Sequence, residues 1–583
     1  NVRLDYNPIK DLQLSAIGAY TYTNGEERTY RSTMKLSGDR VLGPSELKHK
    51  MGKTIYKTFQ ATAEYNKTIG GHTFGILAGY SWEQEDYRYV QGSRDKFPGN
   101  DLPYLNAGSP DNQKSEGTGN AWAIQSGFGR LRYNFNERYL FESTVRYDGS
   151  SRFPQSKKFG FFPSVAAGWR LSEENFFKEN ESLGFISNLK LKVSWGRLGN
   201  QNIGNYPYQS VYELGQNYPF GDTYTQGAAV TTAVDPTIKW EETETIDGGL
   251  EAVFWNGLLS VNASYFNRRT YDILYKPSGS VSTILGQKIS EMNTGELKNF
   301  GWEFEVGHRN KIGDVSYNVN ANLSIIKNKL TTLGVGNVEQ LNGMVGNGSD
   351  LFIGYPIQMY YGYVSDGVFL DENDIKSWYD QSKVTPNPQP GDIRYKDISG
   401  PDGVPDGKID PNYDRVYLGS RIPKFTFGLN LGVEYKGLDL SVLLQGVAGV
   451  TGMLDGFAGW AFRGDGNIQK WQAEGRFDPA NPTRYPAYPR LEDLSNSTTP
   501  NIVTSDFWTQ DASYIRLKNI QLGYTFPKKM LQAAKISNLR VYVQAENPLC
   551  WNKYKPGWDP EINTSGNYYP ILATYTFGVN FKF

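Results

Sequence analysis

The sequence predicts an all-β protein, a transmembrane antiparallel β-barrel with about 17 strands present. Three observations carry the prediction. Apolar and polar residues alternate with period two in segment after segment. The chain is rich in aromatics yet weakly hydrophobic: 14% of its 583 residues are Phe, Tyr or Trp, while only 38% are hydrophobic in total. Short turns and long polar loops follow each other in rotation. A soluble sandwich explains the first observation as well as a barrel does. It has no reason to sort its connections by length, whereas an outer-membrane barrel keeps short turns on the periplasmic side and long loops outside.

The alternation is read directly from the chain. Leu12, Leu14, Ala16, Gly18, Tyr20 and Tyr22 form one early set. Leu131, Tyr133 and Phe135 interleave Arg130, Arg132 and Asn134. Leu189, Leu191, Val193 and Trp195 interleave Lys190, Lys192 and Ser194. Val315 to Ile325, Phe425 to Tyr435 and Leu539 to Ala545 repeat the pattern. In "ASYIRLKNIQLGYTF" the phase slips between Leu517 and Ile520, which predicts a β-bulge near Lys518-Asn519. The final segment, "YTFGVNFKF", alternates to its last residue.

Short turns are read at "YNPIKDLQ", "YNKTIGGHT", "YNFNERY", "FWNGLL", "RNKIGDV" and "YKGLDL". Long loops are read at 24–53, 93–118, 199–236, 328–421 and 446–510. The first strand, 1–7, runs inward from the outside on this count. A barrel that starts in the periplasm then needs an odd number of further strands before it, so the chain reads as the C-terminal majority (1–583) of a larger barrel.

Composition narrows the function. The formal net charge is -1 and no basic stripe stands out, so nucleic acid is not an expected partner. The single cysteine, Cys550, rules out an internal disulfide framework and a Cys-based zinc site. His49, His72 and His308 lie far apart in the sequence. No apolar run reaches the ~18 residues of a transmembrane helix, which leaves a barrel untouched. There is no G-x-S-x-G and no local catalytic signature around the histidines, so the sequence reads as a non-enzyme.

Several long stretches resemble the SusC/RagA family of TonB-dependent outer-membrane transporters of Bacteroidota. They are "VRYDGSSRFPQSKKFGFFPSVAAGWRLSEENFF" (145–177), "LKLKVSWGRLGNQNIGNYPY" (189–208) and "IKWEETETIDGGLEAVFWNGLLSVNASYFNRRTYDILY" (238–275). Further stretches are "GDIRYKDISGPDGVPDGKIDPNYDRVYLG", "IPKFTFGLNLGVEYKGLDLSVLLQGVAG", "ASYIRLKNIQLGYTFPKKML" and "LRVYVQAENPLCWNKYKPGWDPE". The resemblance implies a 22-stranded barrel, an N-terminal plug and a TonB box, neither of which is found in this sequence. It implies import of a large nutrient into the periplasm, energised by the TonB complex. A SusD-like surface lipoprotein acts as lid, and the pairs assemble as a dimer of transporter–lid pairs in outer-membrane lipid. Oligosaccharide is the expected substrate and peptide the alternative. A barrel enzyme, a passive porin and an adhesin are the rival classes.

Three sets of site residues follow. Asp397, Asp402, Asp406, Asp410 and Asp414 are closely spaced carboxylates among Gly and Pro, a composition suited to Ca²⁺. The family often carries a calcium-loop-like run here, but the inserted "PDGVP" breaks its spacing. The alternative is a solvated acidic turn. Loop aromatics Tyr206, Tyr208, Tyr212, Trp460, Trp471, Tyr485 and Tyr488, with Tyr218, Tyr224 and Trp558, are candidates for stacking on a sugar. Their alternatives are packing within the loops and docking of the lid. Phe577, Phe581 and Phe583 resemble the terminal signal read by outer-membrane insertion machinery, the alternative being a plain aromatic girdle. Arg130, Arg132, Arg146, Lys190, Lys192, Arg516 and Arg540 share inward faces with Glu142, Asp148, Glu434 and Glu546. Mixed signs predict a hydrated wall that hydrogen-bonds the plug rather than an anion path.

Overall fold

Seventeen strands hydrogen-bond, each to the next in the chain, into one antiparallel sheet. The computed structural model describes residues 1–276, 286–334, 338–339, 344–347, 350–493, 499–532, 535–554, 557–562 and 569–583; the remaining parts of the two longest predicted loops lie outside the described residues. The strands are β1 (Val2–Ile9), β2 (Leu12–Arg31), β3 (Glu46–Ile69), β4 (His72–Asp95), β5 (Lys114–Phe135), β6 (Tyr139–Ser150), β7 (Phe159–Arg170), β8 (Ile186–Asn200) and β9 (Glu241–Phe254). They continue with β10 (Leu259–Tyr275), β11 (Met292–Ile312), β12 (Val315–Thr332), β13 (Phe425–Tyr435), β14 (Leu438–Ala448), β15 (Tyr514–Thr525), β16 (Asn538–Asn552) and β17 (Thr574–Lys582). β1 pairs on one side with β2, and β17 with β16, so these two are the sheet's edges among the described residues.

The two faces differ as the alternation requires. Ile76, Leu131, Val193, Ile246, Trp302, Val543 and Phe577 are exposed on the outer face, where hydrocarbon is the natural solvent. Opposite them the inner face carries ion pairs: Arg132 with Glu64 at 2.7 Å, Lys190 and Lys192 with Glu251 at 3.2 and 3.1 Å, and Arg516 with Asp559 at 2.7 Å. Arg146 pairs with Asp148 at 3.0 Å and Arg540 with Asp439. Each named cation thus has a carboxylate at hand, and the wall is neutralised locally.

Near the short turns the outer face turns aromatic. Tyr139 stacks with Phe135 and Trp169, and Phe185 with Phe254 and Trp255, at centroid distances of 5.8–6.5 Å. Amphipathic rings at one level form a girdle suited to a membrane interface. The turn 436–437 shows why short connections suffice. Lys436 and Gly437 both have positive φ, 47° and 90°, the twist that matches paired strands. A Cβ at Gly437 would meet the Thr525 carbonyl oxygen at 2.5 Å, so only glycine fits.

Some predicted boundaries move. Of the loop read at 24–53, only 32–45 is a connection, because β2 and β3 run on for 20 and 24 residues. A tilted strand needs about 9–11 residues to cross the hydrocarbon. Beyond it the two faces no longer meet different solvents, so "NGEERTYR" and "ELKHKMGK" are mostly polar and read as loop. The other long connections run 96–113, 201–240, 333–424 and 449–513. The stretches 276–291 and 553–573, also at the long-loop end, escaped the sequence reading. The rotation of lengths has exceptions: 151–158 is short at the long-loop end, and 171–185 and 526–537 are longer at the other.

Candidate functional site

The largest apolar core lies outside the barrel wall, in the loops. Val368, Ile393, Tyr395 and Ile409 from 333–424 pack with Leu454, Ala461, Phe477, Tyr488 and Trp508 from 449–513, and Tyr554 from 553–573 joins them. Three connections thereby fuse into one loop body. Polar contacts repeat the link: Tyr395 donates its hydroxyl to the Pro500 carbonyl at 2.7 Å, Ile393 N–H donates to Asn501 at 2.8 Å, and Tyr554 donates to the Met453 carbonyl at 3.1 Å. A short helix, Glu372–Ser377, starts at Asp371, whose side chain accepts from Asn373 and Asp374 N–H at 2.9 Å. Asp374 then binds both Arg394 and Arg484. Burial pushes the Asp374 carboxyl up, but the hydrogen bond from Arg484 and its neighbours outweigh that, and its pKa is lowered. Asp392, fully buried, goes the other way because burial outweighs Arg490.

The five aspartates do not converge. Asp414 accepts three backbone N–H groups, from Ile398 at 2.7 Å, Ser399 at 3.1 Å and Asp410 at 2.6 Å. Asp410 pairs with Lys383 and accepts from Asn412 N–H at 2.8 Å. Asp397 accepts from Gly407 N–H at 2.6 Å, and Asp406 from Lys408 N–H at 3.0 Å. Asp402 sits exposed. Among the described residues no three His, Cys, Asp or Glu stand close enough to share an ion. Ca²⁺ needs six to eight oxygens, so this arrangement does not fit a calcium cage; the carboxylates fold the turn instead.

The aromatic candidates divide. Tyr488 is 0% exposed inside the loop body, which removes it from any ligand surface. Trp460, Trp471 and Trp558 pack against the same core. Tyr208 packs on a second cluster formed by Phe153, Phe162, Ile238 and Trp240. Tyr206, Tyr212 and Tyr485 are exposed, Tyr212 and Tyr485 at 74% each. Tyr218 and Tyr224 lie exposed on a small hairpin, Tyr218–Phe220 paired with Thr223–Thr225. The candidates are therefore not one site. Aromatic residues in a loop signal burial as readily as binding, and sequence alone does not separate the two.

A site that the sequence reading missed lies on the inner face near the rim. Glu85 of β4 and Trp122 of β5 are cross-strand partners, and the indole N–H donates to the Glu85 carboxylate at 3.2 Å. Arg152 stands 5.3 Å over the Trp122 ring and donates to the carbonyls of Gln201 and Ile203 at 3.2 and 2.8 Å. With Asn205, Leu274 and Glu291 these residues line a cavity of about 660 Å³. Its one legible signal was alternation: Trp122 shares the wet face with Arg130 and Arg132.

Phe577, Phe581 and Phe583 all lie exposed, at 71%, 58% and 82%, with Phe581 and Phe583 edge to face at 5.2 Å.

Comparison with known proteins fits this architecture. Residues 1–547 match the family model "TonB dependent receptor-like, beta-barrel". The chain is 28% identical to the TonB-dependent receptor SusC of Bacteroides thetaiotaomicron over 598 residues, covering 100% of this chain and 55% of that protein. It is 27% identical to the TonB-dependent receptor P3 of Formosa agariphila, covering 99% of this chain and 57% of that protein. Among solved structures, the RagAB peptide importer in its open-open state superposes with a TM-score of 0.79 at 25% identity, covering 99% of this chain and 60% of that one. The chain thus spans a little over half the length of the curated relatives it matches.

Proposed function

The chain belongs to the TonB dependent receptor-like β-barrel family, in its SusC/RagA branch, and from that premise we propose that it forms the wall and outer mouth of an outer-membrane importer of large nutrients. The observation that carries the proposal is the segregation of the connections. One end of the sheet has mostly tight turns and an aromatic girdle; the other carries a folded loop body and a lined cavity beside a polar inner face. Such a mouth captures solute and passes it along a hydrated wall.

The sheet's edges bear on assembly. After sixteen antiparallel steps β1 and β17 run in the same direction, so an antiparallel closure between them takes an odd number of further strands. The 22-stranded family barrel satisfies that. Energy from TonB, a lid lipoprotein of the SusD kind and pairing of two such transporters belong to the same proposal. The exposed face of β17, with Phe577 and Phe581 and with Phe583 just beyond the strand, supports a role for these residues in recognition by the insertion machinery.

Oligosaccharide is the proposed cargo. Peptide is the second reading, favoured by the likeness to the RagAB peptide importer. The test is uptake of labelled oligosaccharides and peptides by cells with and without TonB. Uptake that requires both TonB and this protein supports the proposal. Uptake that persists without TonB makes the protein a passive pore.

A further inference from the structure

We infer that the rim cavity built on Glu85, Trp122 and Arg152 is a binding subsite for a neutral, hydroxyl-rich oligosaccharide. The inference rests on the import reading above and names the place and chemistry of capture. Three features single the cavity out. It lies on the inner face, above the part of β4 and β5 that crosses the hydrocarbon: Glu85 and Trp122 each stand 13 residues from the short-turn end of their strands. Its walls are held in place. Ser151 N–H donates to the Ala123 carbonyl at 2.9 Å, Ala123 N–H donates back to the Ser151 hydroxyl at 2.9 Å, and Arg152 clamps the start of the 201–240 loop. The buried cluster of Phe153, Phe162, Ile238 and Trp240 backs two of its lining residues, Ile203 and Leu274.

The third feature is a polar lining: Glu85, Asn120, Arg152, Asn205 and Glu291 bring donors and acceptors together beside the Trp122 ring.

The lining then selects the ligand. Glu85 and Glu291 accept; Arg152 and the Asn205 amide nitrogen donate. A sugar hydroxyl does both at once, accepting from Arg152 while donating to a carboxylate. The part-exposed Trp122 offers apolar surface to C–H groups of a pyranose. Two carboxylates against one guanidinium disfavour an acidic glycan, and a peptide carboxylate meets the same repulsion. The volume, about 660 Å³, suits a few sugar units.

The test uses the full-length transporter in detergent, titrated calorimetrically with neutral gluco-, xylo- and manno-hexasaccharides, with oligogalacturonate and with a mixed peptide pool. Glu85→Gln and Asn205→Ala are compared with the parent, and heat-modifiable gel migration checks that each barrel is folded. Binding of a neutral hexasaccharide that weakens roughly tenfold or more in both folded variants supports the subsite. Preference for oligogalacturonate or peptide, binding unchanged by the variants, or no binding of any neutral oligosaccharide overturns it. Where the subsite fails but TonB-dependent uptake persists, the import reading stands; where uptake is independent of TonB, that reading falls too.

Discussion

Arg490 and Asp392, 98 positions apart in the chain, meet as an ion pair across two different loops, and the Asp392 carboxylate is fully buried. Asn501 donates to the same carboxylate at 2.8 Å and Gln389 N–H to its other oxygen at 2.8 Å. Removing one partner of a buried pair strands the other, at a cost of about 3–5 kcal/mol. Arg490→Ala is therefore expected to loosen the loop body without touching the wall. Limited proteolysis should cut within 333–424 and 449–513 at protease levels that leave the parent intact, while heat-modifiable migration of the barrel is unchanged. Equal protease resistance of the two proteins refutes the tether.

Acid is expected to act on the same body through Asp374. Its pKa is lowered in the folded protein, so its contribution is complete above the ordinary carboxylate range, near pH ~4, and is lost as pH falls through the folded value. Asp392 is raised; its burial as an anion weighs against the fold increasingly as pH rises from the ordinary carboxylate value to its folded pKa, and that cost disappears on acidification. Protease resistance followed from neutral pH downward should thus fall only below pH ~4. Asp374→Asn should flatten that acid limb. An acid limb that survives the substitution assigns it to other groups.

The acidic turn makes a sharper contrast. Asp414 accepts three backbone N–H groups, and leaving such donors buried and unpaired costs about 1–3 kcal/mol each. Asp414→Ala should expose the 397–414 segment to protease, whereas Asp402→Ala and treatment with a chelator should leave the cleavage pattern unaltered. A chelator effect matching that of Asp414→Ala shows that an ion, and not the backbone, is what these carboxylates hold.

At Lys518 the register shifts: Leu517 and Asn519 pair with adjacent residues Leu444 and Leu443 of β14, and with Leu549 and Glu546 of β16. The bulge lets Ile515 and Leu522 share the outer face, where they are 44% and 43% exposed, while Arg516 is buried inside. Deleting Lys518 keeps every β14 partner and should yield a folded barrel. Deleting Leu517 leaves Ile515 and Arg516 in register but moves Lys518 into the outer-face place opposite Leu444, sets an ammonium toward lipid at a cost of about 2–4 kcal/mol near the midplane, and should weaken or abolish heat-modifiable migration. The two deletions behaving alike speaks against the assigned faces.

The strands were legible because each must present one face to each of two solvents, and that requirement writes a period of two into the chain. The count of seventeen and the slip at Lys518 follow from it. Legibility stops where the solvents become the same. Above the membrane "ELKHKMGK" is strand but carries no alternation, and the loop body draws its core from three connections whose contacts no local period records. Tyr488 and Tyr485 sit three residues apart, both aromatic, one wholly buried and the other 74% exposed. Only the fold separates them. Trp122 was legible in orientation but not in consequence, since Arg152 reaches it from beyond the strand.

The loop body also has a mechanical meaning. Its three connections leave from six consecutive strands, β12 to β17, so it stands on one unbroken arc of the wall. A load applied anywhere on it is shared by all six and reaches the sheet as a torque on that arc. The opposite arc, β2 to β11, carries connections that, among the described residues, the loop body's core does not clamp. On that arc the mouth is therefore braced as a single unit, so a displacement of any one of the three connections is transmitted through the shared core to the other two.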